Sequence, residues 1–228
     1  MTWHPDIPLE YRNQIVTGDA RELAKRIPDE SIDLIFTDPV YDRIEDYEWL
    51  AETAARVLKP DSACLAFFGI GYLDDTLQAL KHGLTYRWQG LWYQSNRIGS
   101  HADMGFCLYS PFFWMEKGRS KRIKQTQDVA NVPFASGTNG KFHNWNKQPA
   151  VIMKYLDAFL IDGGIVLDPF TGGGVVPAVC KILNRNYIAF EIDPATAEMA
   201  RERVLNTQPP LFVPEPEQLE LRNTQEPE

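Results

Sequence analysis

Two short apolar segments end in the same dipeptide, and this repetition constrains the fold more than any other feature of the chain. Residues 32–37 (IDLIFT) stop at Asp38-Pro39, and residues 165–167 (IVL) stop at Asp168-Pro169. Short, nearly continuous apolar runs are typical of parallel strands that are buried on both faces. We therefore expect two strands of one parallel sheet, each leading into a loop beyond its carboxyl end.

Helical patterns alternate with strand patterns along the rest of the chain. Apolar spacing predicts helices at residues 45–58, 72–81, 150–161, 175–183 and 195–206, and strands at 63–68, 84–93, 106–115 and 187–191. Asp193-Pro194 supplies a capping side chain and a first-turn proline for the last helix. This alternation predicts an α/β fold with a doubly wound, mostly parallel sheet. Such sheets bind ligands beyond the carboxyl ends of their strands, where the strand order reverses.

The length of 228 residues fits one sizeable α/β domain, which we assign to residues 1–207. Residues 118–147 are polar and basic, contain glycine breakers and show no sustained period. A loop of this length is uncommon in a compact domain unless it binds something. Residues 208–228 are rich in proline and glutamate, and we expect a disordered tail.

Composition argues against several classes of protein. No stretch of about 18 consecutive apolar residues predicts a membrane span, and the amino terminus lacks a secretory pattern, so a cytoplasmic location is expected. The three cysteines, Cys64, Cys107 and Cys180, are far apart and lack CxxC spacing, and the four histidines lack metal-ligand spacing. Reduced, buried thiols are therefore expected, with no metal site and no disulfide framework.

Residues 168–174 (DPFTGGG) form a glycine-rich turn between a strand and a helix. Glycines let the backbone approach a ligand and leave amides available at the start of a helix. Val175-Val176 stand where a phosphate-binding loop would carry Lys and Ser or Thr, so that class is excluded. Glu191 ends the next strand, where a carboxylate can bond both ribose hydroxyls of a nucleoside. The alternative is a tight turn followed by an ordinary strand-end carboxylate.

Residues 38–41 (DPVY) suit the activation of an aromatic amine. Such an amine is a poor nucleophile because its lone pair is delocalised into the ring. The Asp38 carboxylate and the rigidly held Pro39 carbonyl can accept both amino hydrogens and direct the lone pair at an electrophilic methyl group. Tyr41 can stack on a base that is flipped out of a duplex. Taken alone, an Asp-Pro after a strand is more often an ordinary strand exit.

The two motifs together resemble those of the DNA amino-methyltransferases that modify N6 of adenine or N4 of cytosine. Asp38-Pro-Val-Tyr41 resembles their catalytic Asp-Pro-Pro-Tyr, and DPFTGGG resembles their cofactor loop Asp-Pro-Phe-x-Gly-Ser-Gly. The catalytic motif comes first, which is similar to the circularly permuted order of the β class. The resemblance implies a Rossmann-like methyltransferase fold and S-adenosylmethionine as cofactor.

Further matches extend the resemblance over about residues 14–206. They lie at residues 17–20, 27–34, 57–60, 114–118, 144–149 and 183–191. By this resemblance, Asp19 contacts the cofactor adenine and Glu191 binds its ribose. The cofactor loop contributes Asp168, Phe170, Gly172 and Gly174.

Two departures from the family pattern affect the interpretation. Val40 replaces the second proline, which loosens the loop by one fixed dihedral but keeps Asp38, the Pro39 carbonyl and Tyr41. The order Lys147-Gln148-Pro149 differs from the commoner Gln-Lys-Pro, which leaves open the side chain that touches the cofactor. Asp rather than Ser at position 38 favours adenine, because family members that act on cytosine N4 usually carry Ser.

The net charge of −8 is unusual for a protein that binds DNA, because duplex binding needs cations. One basic cluster is predicted to contact DNA phosphates: Lys117, Arg119, Lys121, Arg122 and Lys124. The alternative is a solvated loop. Residues 94–146 are the region available for target recognition, and Trp88, Trp92, Tyr93 and Trp114 either stack on bases or belong to the core.

Several alternatives remain open at this point. The leading interpretation is a methyltransferase that acts on N6 of adenine in DNA. The alternatives are an enzyme that acts on N4 of cytosine, an RNA base or a small amine, and a catalytically silent nucleic-acid-binding protein. Both a monomer and a homodimer are compatible with the sequence.

Overall fold

The computed structural model describes residues 3–94, 99–101, 105–120, 123–124, 126–131 and 148–208. Within these ranges the strands are β1 Gln14–Thr17, β2 Ile32–Thr37, β3 Leu58–Phe67, β4 Thr85–Tyr93, β5 Gly99–His101, β6 Gly105–Cys107, β7 Tyr109–Lys117, β8 Val129–Asn131, β9 Ile165–Asp168 and β10 Asn186–Glu191. The α-helices are α1 Ala20–Leu23, α2 Ile44–Val57, α3 Leu73–Lys81, α4 Pro149–Phe159, α5 Val175–Ile182 and α6 Pro194–Asn206.

Eight of these strands form one sheet in the order β1-β10-β9-β2-β3-β7-β4-β8, while β5 and β6 pair separately. Five neighbouring strands are mutually parallel: β1, β10, β9, β2 and β3. Their carboxyl ends therefore share one edge of the sheet, called here the carboxyl edge. β7 runs antiparallel to both β3 and β4, and β8 is parallel to β4. The predicted mostly parallel α/β sheet is confirmed.

Helices cover both faces of the sheet. Successive side chains of a strand point to opposite faces, so neighbouring residues of one strand pack in different cores. Ile35 of β2 belongs to the core that includes Leu50 of α2. Its neighbour Phe36 belongs to the second core, with Ile152 of α4 and Val179 of α5. The chain passes from β2 to β3 on one side and from β9 to β10 on the other, so the strand order reverses between β2 and β9.

The antiparallel part differs from the sequence prediction. The segment predicted as one strand, 106–115, is divided into β6 and β7, and Pro111 lies inside β7. Proline has no N–H to donate, but its carbonyl still accepts the N–H of Phe68 (3.2 Å). The predicted loop 118–147 contains β8, and neither β1 nor α1 was predicted. These elements have three or four residues each, too few to show a period.

The predicted cap of the last helix is confirmed. Asp193 accepts the backbone N–H of Thr196 at 2.8 Å, and Pro194 begins α6. Cys64 and Cys180 are buried free thiols, whereas Cys107 is half-buried. Burial raises the pKa of Cys64 to about 12.

Among the described residues, no three His, Cys, Asp or Glu side chains are grouped so that they could hold a metal ion. None of the described helices combines the length and apolar character that crossing a membrane requires.

Candidate active site

The two Asp-Pro strand ends lie side by side at the carboxyl edge. β2 pairs directly with β9, with Leu34 opposite Val166 and Ile35 opposite Leu167. The Thr37 hydroxyl donates a hydrogen bond to Asp168 Oδ1 at 2.8 Å, and both side chains are buried. The two loops therefore open onto one crevice, at the point where the strand order reverses.

This crevice has a volume of about 260 Å³. The sequence-predicted residues in its lining are Asp38, Asp168, Phe170 and Gly172. Its apolar wall consists of Phe36, Phe67 and Ile152. The other sequence-predicted site residues are not among those that line it: Asp19, Pro39, Tyr41, Gly174 and Glu191.

The acceptor loop, residues 38–41, is held by two contacts of Tyr41. Its hydroxyl donates to Asp38 Oδ1 at 3.0 Å. Its ring lies against Gly69, where an added Cβ would be only 2.9 Å from Tyr41 Cβ. Pro39 is buried, whereas Val40 is 52% exposed. The departure from the family motif thus faces solvent, while the residues on either side of it are packed.

Two glycines shape the glycine loop, residues 168–174, in different ways. Gly172 and Gly174 have φ values of 48° and 73°, a region that glycine enters without steric cost. A Cβ on Gly174 would lie 2.8 Å from the Cβ of Ala200 in α6, so this glycine permits close helix packing. A Cβ on Gly172 would meet nothing within 4 Å, which fits a backbone that a ligand can approach.

Glu191 at the end of β10 fixes the glycine loop through both carboxylate oxygens. Oε2 accepts the N–H of Gly172, and Oε1 accepts the N–H of Asp193, each at 2.9 Å. A carboxylate offers about four lone-pair positions, so these bonds leave capacity for further donors. The acidic strand end predicted from the sequence is therefore a neighbour of the crevice and acts on it through Gly172.

Asp168 is the most strongly perturbed acid at this edge. Burial raises its pKa to about 7, against the opposing effect of the hydrogen bond from Thr37, while the charge of Asp38 raises it further. Near neutral pH the crevice therefore holds one buried carboxyl group that is partly protonated beside the half-buried Asp38.

Asp19 lies beyond the end of β1 and caps α1. Its carboxylate accepts the backbone N–H of Arg21 at 2.8 Å and is exposed. The preceding Gly18 donates its N–H to the carbonyl of Glu191 at 2.9 Å. Asp19 is therefore close in the fold to the end of β10, although it does not line the crevice.

Sequence reasoning missed four residues at this edge. Thr37 and Thr196 line the crevice, Trp49 contacts Phe170 edge-on at 5.7 Å between ring centroids, and Gly69 accommodates Tyr41. Thr37 had a usable signal, because it stands directly before an Asp-Pro strand end. The role of Trp49 depends on two distant segments meeting, which no local pattern reveals.

A family comparison identifies the kind of protein that carries this crevice. The model of the N6/N4 DNA methylase family matches residues 32–202, which include both Asp-Pro motifs. The chain belongs to this DNA methylase family. The methylase thus transfers a methyl group to DNA, and S-adenosylmethionine, the cofactor expected from the sequence, is confirmed.

Individual relatives agree with this assignment. The type II methyltransferase M.HpaI of Haemophilus parainfluenzae is 29% identical, over 84% of the methylase and 74% of the relative. M.HinfI of Haemophilus influenzae is 25% identical, over 88% and 70%. The M1.HpyAVI–SAM complex has a TM-score of 0.72 at 24% identity, over 85% of the methylase and 98% of that chain. The cytosine-N4-specific PvuII methyltransferase has a TM-score of 0.76 at 16% identity, over 85% and 86%, and these two structures confirm the fold.

The described residues of the basic cluster, Lys117, Arg119 and Lys124, do not line the crevice, and contact of this cluster with DNA phosphates stays a prediction. In the β3–β7 register, Lys117 is opposite Ser62, whereas the crevice residue Phe67 is opposite Phe112 at the other end. Lys117 pairs with Glu30 (3.1 Å), and Lys124 pairs with Asp157 (2.8 Å). Arg119 donates its backbone N–H to Asp61. Lys121 and Arg122 lie outside the described residues, as do 144–147 of the predicted cofactor segment.

The aromatic residues of β4 and β7 divide between the core and a second cavity. Trp92 is buried, as the core interpretation predicts, but Trp88 is 55% exposed. Trp88, Phe112, Trp114 and Tyr155 line a cavity of about 340 Å³. The Trp88 indole N–H donates to Asp128 Oδ2 at 3.3 Å, which orients the ring at the mouth of this cavity.

Proposed function

We propose that the methylase modifies N6 of adenine in DNA and that the acceptor loop holds the target amino group. The observation that carries this proposal is that Asp38 lines the same crevice as Gly172 of the glycine loop. When bound, S-adenosylmethionine supplies an electrophilic methyl group, so the protein has only to present the nitrogen lone pair to it.

Presentation of the amine requires two acceptors and a support for the base. The Asp38 carboxylate and the Pro39 carbonyl accept the two amino hydrogens, which moves the nitrogen towards a tetrahedral geometry. The bond from the Tyr41 hydroxyl orients Asp38 and still leaves lone pairs for an amino hydrogen. The Tyr41 ring provides a face on which the flipped base stacks.

The assignment to adenine depends on the residue at position 38. Family members that act on cytosine N4 usually carry Ser there, and this chain carries Asp. A carboxylate is a stronger acceptor than a hydroxyl and donates no competing hydrogen when it is ionised. The similarity to the PvuII structure is a similarity of fold and does not favour cytosine.

For the cofactor, we propose that the glycine loop and the ends of β1 and β10 form the binding surface. Gly172 offers an open backbone, and the Phe170 ring at the crevice offers an aromatic face. Asp168 provides a buried carboxyl group beside them. Glu191 binds the ribose and Asp19 contacts the adenine, each through a carboxylate at a strand end that adjoins the crevice.

Asp38→Ala tests the chemistry. Its rate of methyl transfer should fall by about 100-fold or more, because one preorganised acceptor disappears. Cofactor affinity, measured by calorimetry, should fall much less. Asp42→Ala is the matched control, because Asp42 is an exposed acid next to the acceptor loop. Transfer of tritium from labelled S-adenosylmethionine to unmethylated DNA at the wild-type rate by Asp38→Ala would exclude the proposed mechanism.

Glu191→Ala tests the cofactor assignment. Loss of a charge-assisted acceptor should weaken S-adenosylmethionine binding by about 1–3 kcal/mol. Because Glu191 also holds Gly172, Glu191→Gln is needed beside it, since glutamine retains one acceptor oxygen for the loop. Unchanged affinity in both variants, measured by calorimetry, would remove Glu191 from the binding surface.

A further inference from the structure

An ion pair joins α1, the helix after β1, to α2, the helix that follows the acceptor loop. Arg21 Nη2 lies 2.6 Å from Asp46 Oδ1. The Asp46 side chain is only 4% exposed, whereas that of Arg21 is 40% exposed. Arg21 is in α1, the helix capped by Asp19, and Asp46 is in the first turn of α2. The pair therefore connects two separate elements at the carboxyl edge.

Aromatic contacts continue this connection to the glycine loop. The Arg21 guanidinium lies over the ring of Trp49, with its carbon 5.8 Å from the ring centroid. Trp49 in turn meets Phe170 edge-on, at 5.7 Å and an interplanar angle of 85°. A single side chain, Arg21, thus contacts two residues of α2, and one of these touches the crevice residue Phe170.

The start of α2 is fixed at two points. The buried Tyr47 hydroxyl donates to the carbonyl of Phe67 at 2.9 Å, which ties the helix to the end of β3. Asp46 is favoured in the first turn by the helix dipole, but a carboxylate this deeply buried also needs a cation. Arg21 supplies that cation from the neighbouring helix α1. Only residues 42 and 43 separate the acceptor loop from Ile44, where α2 begins, so the position of the helix constrains the position of the loop.

We propose that Arg21 is a positioning residue that couples occupancy of the cofactor site to the placement of the acceptor loop. The proposal rests on the roles assigned above to the acceptor and glycine loops. A ligand that fixes Phe170 also restrains Trp49 of α2, and Arg21, which contacts both Trp49 and Asp46, extends that restraint to the first turn of the helix. By thermodynamic reciprocity, an acceptor loop held by substrate favours the cofactor-binding arrangement to the same degree.

Arg21→Met keeps the length of the side chain and removes its charge. In the free protein, amide hydrogen exchange over residues 42–49 should become faster, and the protection that S-adenosylhomocysteine confers on this segment should disappear. The kcat of methyl transfer should fall by about 10- to 100-fold, because misplacement of a reacting group is costly. Affinity for S-adenosylhomocysteine should change by a smaller factor.

Arg26→Met is the matched control, since it breaks an exposed pair with Glu10 (2.6 Å) in the same part of the chain. It should leave both exchange and kcat at wild-type values. The double variant Arg21→Met with Asp46→Asn removes both charges, so that no buried carboxylate is left unpaired and folding is preserved. If Arg21 positions α2, this double variant still lacks ligand-induced protection and full kcat.

Two results would overturn the proposal. One is wild-type exchange, protection and kcat in Arg21→Met. The other is full recovery of protection and kcat in the double variant, which would mean that Arg21 only neutralises Asp46. Failure of the proposed acceptor role is separable, because it would appear as an active Asp38→Ala enzyme and would leave the exchange measurements unchanged.

Discussion

Two parts of the sheet differ in where they expose polar and aromatic side chains. One is the parallel part, formed by β1, β10, β9, β2 and β3, and the other is formed by β7, β4 and β8. In β2 and β9 almost every residue is buried, and Thr37 and Asp168 stand at their carboxyl ends. β4 instead begins with four exposed residues, 85–88. A parallel sheet that is covered by helices on both faces has accessible side chains only at its edges, whereas a partly uncovered strand also exposes side chains on its face.

The two cavities reflect this difference. The crevice at the carboxyl edge contains the carboxyl groups of Asp38 and Asp168, whereas the cavity beside β4 combines aromatic rings with the single carboxyl group of Asp128. Phe67 and Phe112 lie between them, with ring centroids 5.5 Å apart. The parallel part thus presents an acidic crevice at its edge, and the part formed by β7, β4 and β8 presents aromatic surface.

The largest effect that would sharpen this comparison concerns the buried acid of the parallel part. The folded pKa of Asp168 is about 7, above the ordinary value of 3.8. The folded state therefore retains a proton that the unfolded state loses. The contribution of Asp168 to stability is full below about pH 4 and is lost as the pH rises through 7, by at most about 4 kcal/mol.

Asp168→Asn should remove this dependence, so that the variant gains stability relative to wild type as the pH rises from 4 to 8. Thr37→Val should move the loss to higher pH, because it removes a hydrogen bond that favours the charged acid. Urea unfolding across this range measures both effects. A constant difference between wild type and Asp168→Asn at every pH would contradict the assignment.

A pair of glycines compares the two parts directly. A Cβ on Gly69 would meet Tyr41 at 2.9 Å, and a Cβ on Gly90 of β4 would meet the Phe112 ring at 2.2 Å. Gly90→Ala should lower the free energy of unfolding by about 1–3 kcal/mol, because Phe112 is enclosed in the core and cannot move freely.

Gly69→Ala should instead lower kcat more than stability, because Tyr41 belongs to a loop that can shift and carry Asp38 with it. Unfolding in urea and methyl transfer, measured on both variants, decide the matter. The distinction between the two parts fails if Gly69→Ala is the more destabilised protein and retains wild-type kcat.

The smallest effect concerns charge. If DNA binds over the carboxyl edge, Arg43→Ala should flatten the slope of log affinity against log salt by about one unit, because Arg43 is exposed at the start of α2. Lys124→Ala removes the same charge at the opposite edge and should leave the slope unchanged. A flatter slope in Lys124→Ala alone would indicate that the basic cluster, and not the surface around Arg43, contacts DNA.

The sequence was sufficient to predict the parallel strands β2, β3, β9 and β10, because each contains a nearly continuous apolar run, and the shared Asp-Pro ends of β2 and β9 are local signals. It was insufficient for β8, which has three residues, and for the division of residues 106–115. The sequence was also insufficient to place the basic cluster relative to the crevice, for a different reason. Its distance from the crevice depends on β7 running antiparallel to β3, and charge spacing along the chain carries no information about strand direction.

The candidate site divides in the same way. Asp38 and Asp168 were predictable because each follows a strand, and parallel strands bring their ends together. Gly69, Trp49 and the Arg21–Asp46 pair join segments that are far apart in the chain, and each is an ordinary residue in its local context. Contacts of this kind become visible only in the folded structure.

The identity of the methylated nucleoside shows whether the methylase modifies N6 of adenine with Asp38 as an acceptor of the amino group. Unmethylated DNA would be incubated with the methylase and S-adenosylmethionine, digested to nucleosides and analysed by mass spectrometry. We expect N6-methyladenine as the methylated base, formed by the wild-type protein and depleted at least about 100-fold in an equal incubation with Asp38→Ala. Accumulation of N4-methylcytosine, or equal yields of N6-methyladenine from the two proteins, would contradict it.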